Sequence, residues 1–126
     1  MQHASPHRAW LDHGLVVAAG SDVVPFDPLL GIHSLVTRET LAAGVLGPAE
    51  RVTRFEALWM YTVAGAYLTF EEHDKGSLEV GKLADLVILD GDPLTCPESS
   101  IKEIKVVATL VGGRVTHSDG QLFEAT

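Results

Sequence analysis

Residues 14–22 constrain the fold more than any other stretch of the chain. They read Gly-Leu-Val-Val-Ala-Ala-Gly-Ser-Asp, so five apolar residues stand between two glycines and a carboxylate follows. A short apolar run bounded by glycines is typical of a strand buried on both faces, as in a parallel sheet covered by helices. Loops after the carboxyl ends of such strands carry the chemistry, which makes Asp22 a candidate site residue. The alternative is that Ser21 and Asp22 only form a turn at the strand exit.

Composition limits the classes of protein and of partner. The 126 residues suffice for one ordinary domain, and no apolar run reaches the roughly 18 residues of a membrane span. Asp and Glu number 17 against 9 Lys and Arg, which argues against a nucleic acid or an anionic membrane as a partner. The one cysteine, Cys96, suits a reducing compartment. We therefore expect a cytoplasmic protein whose apolar residues, 46% of the chain, are buried against protein.

A first helix is predicted over residues 29–43. Asp27 provides an N-cap and Pro28 suits the first helical position, and apolar residues then recur at helical spacing. His33 and Arg38 lie on this helix. Either side chain could reach a ligand above the strand ends, whereas a solvated helix face is the commoner position for such residues.

A second helix is predicted over residues 55–64. Thr53 and Glu56 form the pattern of a capping box at its start. The helix is apolar nearly all round, which indicates burial within a larger assembly. Gly65 is expected to break it before a short continuation.

The character of the chain changes near residues 71–78. Beyond that boundary we predict three strands and a short extension, over residues 83–90, 104–111, 114–117 and 121–123. Gly112 and Gly113 predict a two-residue hairpin turn. A three-stranded unit that is apolar on both faces cannot complete a core by itself. We therefore expect part of a sheet whose other strands come from elsewhere.

In this order, the motifs resemble the C-terminal part of the metal-dependent amidohydrolase superfamily, most closely the amidohydrolase-3 group that includes the YtcJ-like proteins. The most specific motif is G-S-L-E-V-G-K-L-A-D-L-V-I-L-D at residues 76–90. The other matching residues are 20–22, 27–29 with Arg38, 53–58 with Tyr61 and Thr62, and 108–115. The resemblance covers nearly the whole chain from residue 14 onward.

The resemblance implies an α/β fold built on a (β/α)8 TIM barrel, with a small β-sandwich formed by both chain ends. Residues 15–19 would be the eighth barrel strand and residues 28–70 the helices after it. Residues 77–123 would be C-terminal strands of the accessory sandwich. The chain would then divide into the end of the barrel, residues 1–75, and part of the composite sandwich, residues 76–126.

The resemblance also gives Asp22 a catalytic role. The corresponding aspartate of the family lies beside a divalent metal, most often zinc, and acts as a base on the metal-bound water. The implied reaction is hydrolysis of a C–N bond outside peptides, in a small-molecule substrate. On this basis Asp22 is expected to be both a catalytic and a metal-site residue, with Arg38 and His33 as candidate substrate contacts.

The chain lacks the other metal ligands of the family. No His-x-His pair occurs in the sequence, and the strands that bear the remaining ligands would precede residue 1. Because one carboxylate cannot hold a catalytic zinc, the isolated chain is expected to hold no metal and to be inactive. Three hypotheses follow: a C-terminal fragment of an amidohydrolase-3 enzyme, one half of a split enzyme completed by an N-terminal polypeptide, or a non-catalytic module that forms homo-oligomers or binds a partner.

Overall fold

The computed structural model describes residues 5–22, 25–120 and 122, which form a mixed arrangement of helices and short strands. The α-helices are α1 (His7–Asp12), α2 (Pro28–Thr37), α3 (Arg54–Tyr61) and α4 (Val63–Leu68). The strands are β1 (Glu39–Thr40), β2 (Gly44–Val45), β3 (Leu86–Leu89), β4 (Val106–Val111) and β5 (Arg114–Ser118). Two 3₁₀ helices span Pro48–Glu50 and Glu98–Glu103. None of the helices within the described ranges has the length and apolar character needed to cross a membrane.

Helix α2 begins as predicted and ends earlier than predicted. The Asp27 carboxylate accepts hydrogen bonds from two backbone N–H groups of the first turn, at 2.9 and 3.2 Å, and Pro28 follows. The last helical residue is Thr37, and Arg38 caps the helix with left-handed backbone at φ 61°. The next residues form the β1–β2 hairpin, in which the Thr40 hydroxyl donates to the carbonyl of Gly44 at 2.9 Å. The predicted extension to residue 43 is wrong because these local bonds compete with the helix.

Helix α3 begins with the predicted capping box. The Thr53 hydroxyl accepts from the N–H of Glu56, and the Glu56 carboxylate accepts from the N–H of Thr53 at 2.7 Å. The helix ends at Thr62, whose hydroxyl donates to the carbonyl of Leu58 at 2.8 Å. The predicted break at Gly65 is wrong, because Gly65 lies inside α4 and Thr62 separates the two helices.

Within this chain α3 is buried on one side only, and its burial in a larger assembly remains a prediction. Ala57 and Met60 are buried, at 0% and 1% exposure, whereas Phe55 on the other side of α3 is 68% exposed. The core joins α2 and α3 to the 3₁₀ helix Glu98–Glu103. Its buried members are Ile32, Leu35, Val36, Val52, Ala57, Met60 and Ile101.

Strands β3, β4 and β5 form an antiparallel sheet in that order. Gly112 and Gly113 make the two-residue turn between β4 and β5, and both have positive φ, at 56° and 78°. This confirms the predicted hairpin, whose turn requires left-handed backbone at both positions. The N–H of Gly112 donates to the Asp85 carboxylate at 2.7 Å, which holds the turn against the start of β3. The strands β3 and β4 are shorter than predicted, and the predicted extension over residues 121–123 lies mostly outside the described residues.

Residues 15–20 are not paired as a strand. Leu15 and Val16 are 55% and 38% exposed, and the N–H of Ala19 donates to the carbonyl of Met60 in α3 at 2.9 Å. The described residues therefore do not form the predicted strand, and its place in a larger parallel sheet remains a prediction. A parallel strand takes its hydrogen bonds from neighbouring strands, and the described part of the chain places none beside these residues. The division at residues 75 and 76 remains a prediction.

Candidate functional site

Asp22 lies at the end of residues 15–22, where it lines a cleft of about 320 Å³. The cleft is formed with the start of α2 and the end of α3, and Asp27, Gly31 and Tyr61 are among its lining residues. Asp22 is exposed to solvent, and its backbone φ is 57°. Left-handed backbone is uncommon outside glycine, although aspartate tolerates it better than most residues. The structure thus presents the Asp22 carboxylate at an open cleft.

The side chain of Tyr61 connects the elements that form this cleft. A Cβ atom added to Gly31 of α2 would lie 1.9 Å from the Tyr61 hydroxyl oxygen, so the tyrosine rests directly on the glycine. Burial raises the pKa of Tyr61, and a hydrogen bond with the Ser21 side chain partly opposes that rise. At neutral pH the phenol is therefore a neutral hydroxyl beside the residue that precedes Asp22.

Arg38 lies in a second cleft of about 320 Å³, which shares Gly31 and Tyr61 with the first. Its Nη1 lies 2.9 Å from His7 Nδ1, and its Nε donates to the carbonyl of Leu46 at 3.0 Å. The pKa of His7 is lowered by burial and then by the charge of Arg38, so that the neutral ring can accept from the guanidinium. Arg38 therefore connects α1 and the loop before Pro48–Glu50 to the end of α2. Its cleft adjoins the Asp22 cleft, because Gly31 and Tyr61 line both.

His33 lies elsewhere, in contact with the C-terminal part of the chain. Its side chain is 2% exposed, its Nε2 is 3.4 Å from the Glu39 carboxylate, and its Nδ1 has no hydrogen-bond partner among the described residues. Burial, followed by the charge of Lys102, lowers its pKa. The expected solvated position is wrong, because this side of α2 packs against the 3₁₀ helix Glu98–Glu103. His33 lines neither cleft, so the geometry gives no support to a substrate contact.

The residues at the cleft do not fit a complete metal centre. Within residues 5–22, 25–120 and 122, no three His, Cys, Asp or Glu side chains are grouped so that they could hold a metal ion. Asp27 lines the cleft with Asp22, but its carboxylate is occupied by the N-terminal amides of α2. Structural and catalytic zinc sites need at least three protein ligands. Asp22 could contribute one ligand or one base to such a centre.

The sequence interpretation missed Tyr61 and Gly31. The apolar pattern of the second helix predicts burial and gives no sign that one hydroxyl lines the cleft beside Asp22. Gly31 carried a usable signal. A glycine in the middle of a well-capped helix costs about 1 kcal/mol relative to alanine, which suggests a close approach by another group.

A larger groove of about 670 Å³ separates α4 from the three-stranded sheet. Apolar side chains dominate its lining, including Leu58, Leu86 and Leu94. Tyr61 also lines this groove. The groove combines this apolar surface with the charged residues Glu71, Lys75, Asp85 and Asp92.

Comparison with known proteins places this arrangement in a family. A family model described as the amidohydrolase family, Amidohydro_3, matches residues 1–117. N-substituted formamide deformylase of Arthrobacter pascens is 39% identical over 110 residues, which are 86% of this chain and 20% of that protein. The putative amidohydrolase YtcJ of Bacillus subtilis is 29% identical over 123 residues, which are 93% of this chain and 23% of that protein.

The fold of this chain resembles part of a solved amidohydrolase structure. The crystal structure of an amidohydrolase from Thermotoga maritima superposes with a TM-score of 0.61 at 23% sequence identity, covering 86% of this chain and 24% of that one. The chain thus spans about a fifth to a quarter of the length of the relatives that it matches. From the match over residues 1–117, the chain belongs to the amidohydrolase family.

Proposed function

We propose that this chain supplies the Asp22-bearing part of a metal-dependent hydrolase that acts on C–N bonds outside peptides. Membership of the amidohydrolase family supports a hydrolase of C–N bonds. The observation that carries the finer proposal is the exposed Asp22 residue, which stands at an open cleft directly after an apolar segment. We further propose that the chain is inactive in isolation, because the described residues offer Asp22 no ligand cluster.

The chemistry proposed for Asp22 is proton transfer. Hydrolysis of an amide-like C–N bond requires water to lose a proton as it attacks the carbonyl carbon. A carboxylate within reach of that water accepts the proton, which typically contributes about 10²- to 10⁴-fold in rate. Amidohydrolases are generally metal-dependent, and the metal would lower the pKa of the water. The remaining ligands would come from polypeptide beyond the residues described.

The proposed complementing polypeptide would cover residues 15–20. No strand pairs with these residues in the described part of the chain, and the side chains of Leu15 and Val16 are exposed. Relatives that match this chain are four to five times as long. A polypeptide corresponding to the N-terminal part of such a relative could supply neighbouring strands as well as metal ligands.

The test is complementation. The chain would be co-expressed with the Bacillus subtilis relative truncated where its similarity to this chain begins, and the two would be purified through a tag on one of them. We expect a complex that holds a divalent metal and hydrolyses N-substituted formamides or related amides. Asp22→Asn should lower kcat by about 10²- to 10⁴-fold and leave copurification intact. Asp74→Asn, at an exposed loop position, is the matched control and should leave kcat unchanged.

A metal-loaded complex that is equally active with Asp22→Asn would contradict the role of Asp22.

A second candidate function, a non-catalytic self-associating module, is favoured by apolar side chains that are exposed to solvent. Phe70, Leu78 and Val80 are 89%, 79% and 109% exposed. This alternative predicts that the chain alone sediments as a folded, metal-free oligomer and gains no activity from the truncated relative.

A further inference from the structure

Tyr61 occupies the point at which three parts of the site meet. It is the last residue of α3, its hydroxyl rests on α2, and its ring lines both the Asp22 cleft and the Arg38 cleft. A side chain in this position links the packing of α2 and α3 to residues 20–22, which line the same cleft.

The contact with α2 is tight and specific to glycine. At Gly31 an added Cβ would lie 1.9 Å from the hydroxyl oxygen and 2.7 Å from Cζ of Tyr61. Both distances are shorter than any ordinary contact, so even alanine would force the ring to move. The glycine thus serves as a seat for the tyrosine, which explains its presence inside a capped helix.

The contact with residues 15–22 uses both backbone and side chain. The N–H of Ala19 donates to the carbonyl of Met60 at 2.9 Å. Two residues later, Ser21 lies beside Tyr61 in the lining of the same cleft as Asp22. Consecutive residues at the end of α3 therefore contact the segment at two points immediately before Asp22.

Asp22 itself needs such support. Its backbone is left-handed at φ 57°, a conformation that a non-glycine residue holds only when its surroundings favour it. We propose that Tyr61, seated on Gly31 and lying beside Ser21 at the cleft, is a positioning residue that holds Asp22 in its conformation. The catalytic value of that positioning rests on the function proposed above.

The protonation of Tyr61 agrees with this role. Burial raises the pKa of the phenol, and the nearby Asp27 charge raises it further. The side chain therefore remains a neutral hydroxyl that can bond to Ser21 throughout the neutral range.

The direct test is Tyr61→Phe in the full chain labelled with ¹⁵N, measured alone and in the complemented complex. Removing the hydroxyl should shift the amide resonances of Ser21 and Asp22 and lower their heteronuclear NOE values, with smaller changes elsewhere. Tyr67→Phe is the matched control, because Tyr67 lies on α4, is 48% exposed and lines neither cleft. Unchanged Ser21 and Asp22 resonances, or equal changes in the control, would overturn the proposal.

A second variant tests the seat without removing the hydroxyl. Gly31→Ala keeps every polar group and displaces the ring, so it should reproduce the shifts at Ser21 and Asp22. Gly65→Ala is its control, since a Cβ at that helical glycine meets nothing within 4 Å. If Gly31→Ala unfolds the chain, the Tyr61→Phe comparison still decides the proposal.

Kinetics in the complemented complex separate this proposal from the proposed function. Misplacement of a catalytic group by about 1 Å can cost about 100-fold in rate, so Tyr61→Phe should lower kcat by about 10- to 100-fold with KM nearly unchanged. An active complex whose kcat does not respond to Tyr61→Phe overturns the positioning role alone. An inactive wild-type complex whose Asp22 resonance still responds to Tyr61→Phe overturns the proposed function alone.

Discussion

Residues 15–20 and strands β3–β5 are both rich in apolar residues, yet only the latter form a sheet. Strand β4 pairs with β3 on one side and with β5 on the other, and the Gly112–Gly113 turn connects it to β5. Residues 15–20 have no such partner in the described part of the chain, and Ala19 bonds instead to the end of α3. The difference lies in pairing and not in composition.

The comparison shows which strands a short chain can complete by itself. Antiparallel neighbours need only a tight turn, so residues 86–118 contain all the partners that β4 requires. Parallel neighbours need a crossover of a dozen or more residues, so their pairing depends on distant chain. An apolar run therefore indicates that a segment is suited to burial, and the chain around it decides whether burial is achieved.

The largest effect is expected in the core that joins α2 and α3 to the 3₁₀ helix Glu98–Glu103. Ile101 belongs to the 3₁₀ helix Glu98–Glu103, is 0% exposed, and packs into the α2–α3 core. Ile101→Ala should lower the free energy of unfolding by about 2–4 kcal/mol, through lost burial and the cavity left behind. Urea unfolding followed by circular dichroism measures the change.

The control for this prediction is Val80→Ala, at a position that is fully exposed. Exposed substitutions of this kind usually change the free energy of unfolding by less than about 0.5 kcal/mol. If Ile101→Ala is no more destabilising than Val80→Ala, the 3₁₀ helix Glu98–Glu103 does not share the α2–α3 core described.

The features that the sequence predicted correctly depend on residues close together in the chain. The Asp27 N-cap, the Thr53–Glu56 capping box and the Gly112–Gly113 turn each require groups within a few positions of one another. Such features are specified by neighbouring residues, so their prediction does not depend on what packs around them.

The features that were missed depend on distant residues. His33 is buried because the 3₁₀ helix Glu98–Glu103 covers α2, and no pattern near residue 33 shows this. The end of helix α3 is a local exception, since the Thr62 hydroxyl bonds back to Leu58 in the preceding turn. Asp22 was identified from its place after an apolar run, whereas the position of Tyr61 depends on its contact with Gly31 in another helix.

An intermediate effect is expected at the hairpin, where pairing is local. Gly112 has φ 56°, and a left-handed backbone costs a β-branched residue at least about 1–2 kcal/mol. Gly112→Val should therefore destabilise the sheet and speed hydrogen exchange of the β4 and β5 amides, without altering exchange in residues 15–20. Gly112→Asn is the matched control, since asparagine tolerates this conformation. Equal exchange in the two variants would show that the turn does not determine the pairing.

The smallest effect is expected from the pH dependence of the free energy of unfolding at His33, where α2 packs against the 3₁₀ helix Glu98–Glu103. The pKa of His33 is lowered by burial and by Lys102, while Glu39 and Glu98 oppose that shift. The unfolded chain, with an ordinary histidine pKa near 6.5, takes up a proton that the folded chain does not. The free energy of unfolding should therefore be highest above about pH 6.5 and fall as the pH decreases below it.

His33→Gln should flatten this dependence between about pH 7.5 and 5, and His7, whose pKa is also lowered, should account for part of the remaining slope. His73→Gln is the control, because the side chain of His73 is 93% exposed. Urea unfolding at a series of pH values gives the slopes. A slope in His33→Gln as steep as that of the His73→Gln variant would mean that the α2 surface beside Glu98–Glu103 does not exclude the proton. The contact between α2 and the 3₁₀ helix would then be open to water.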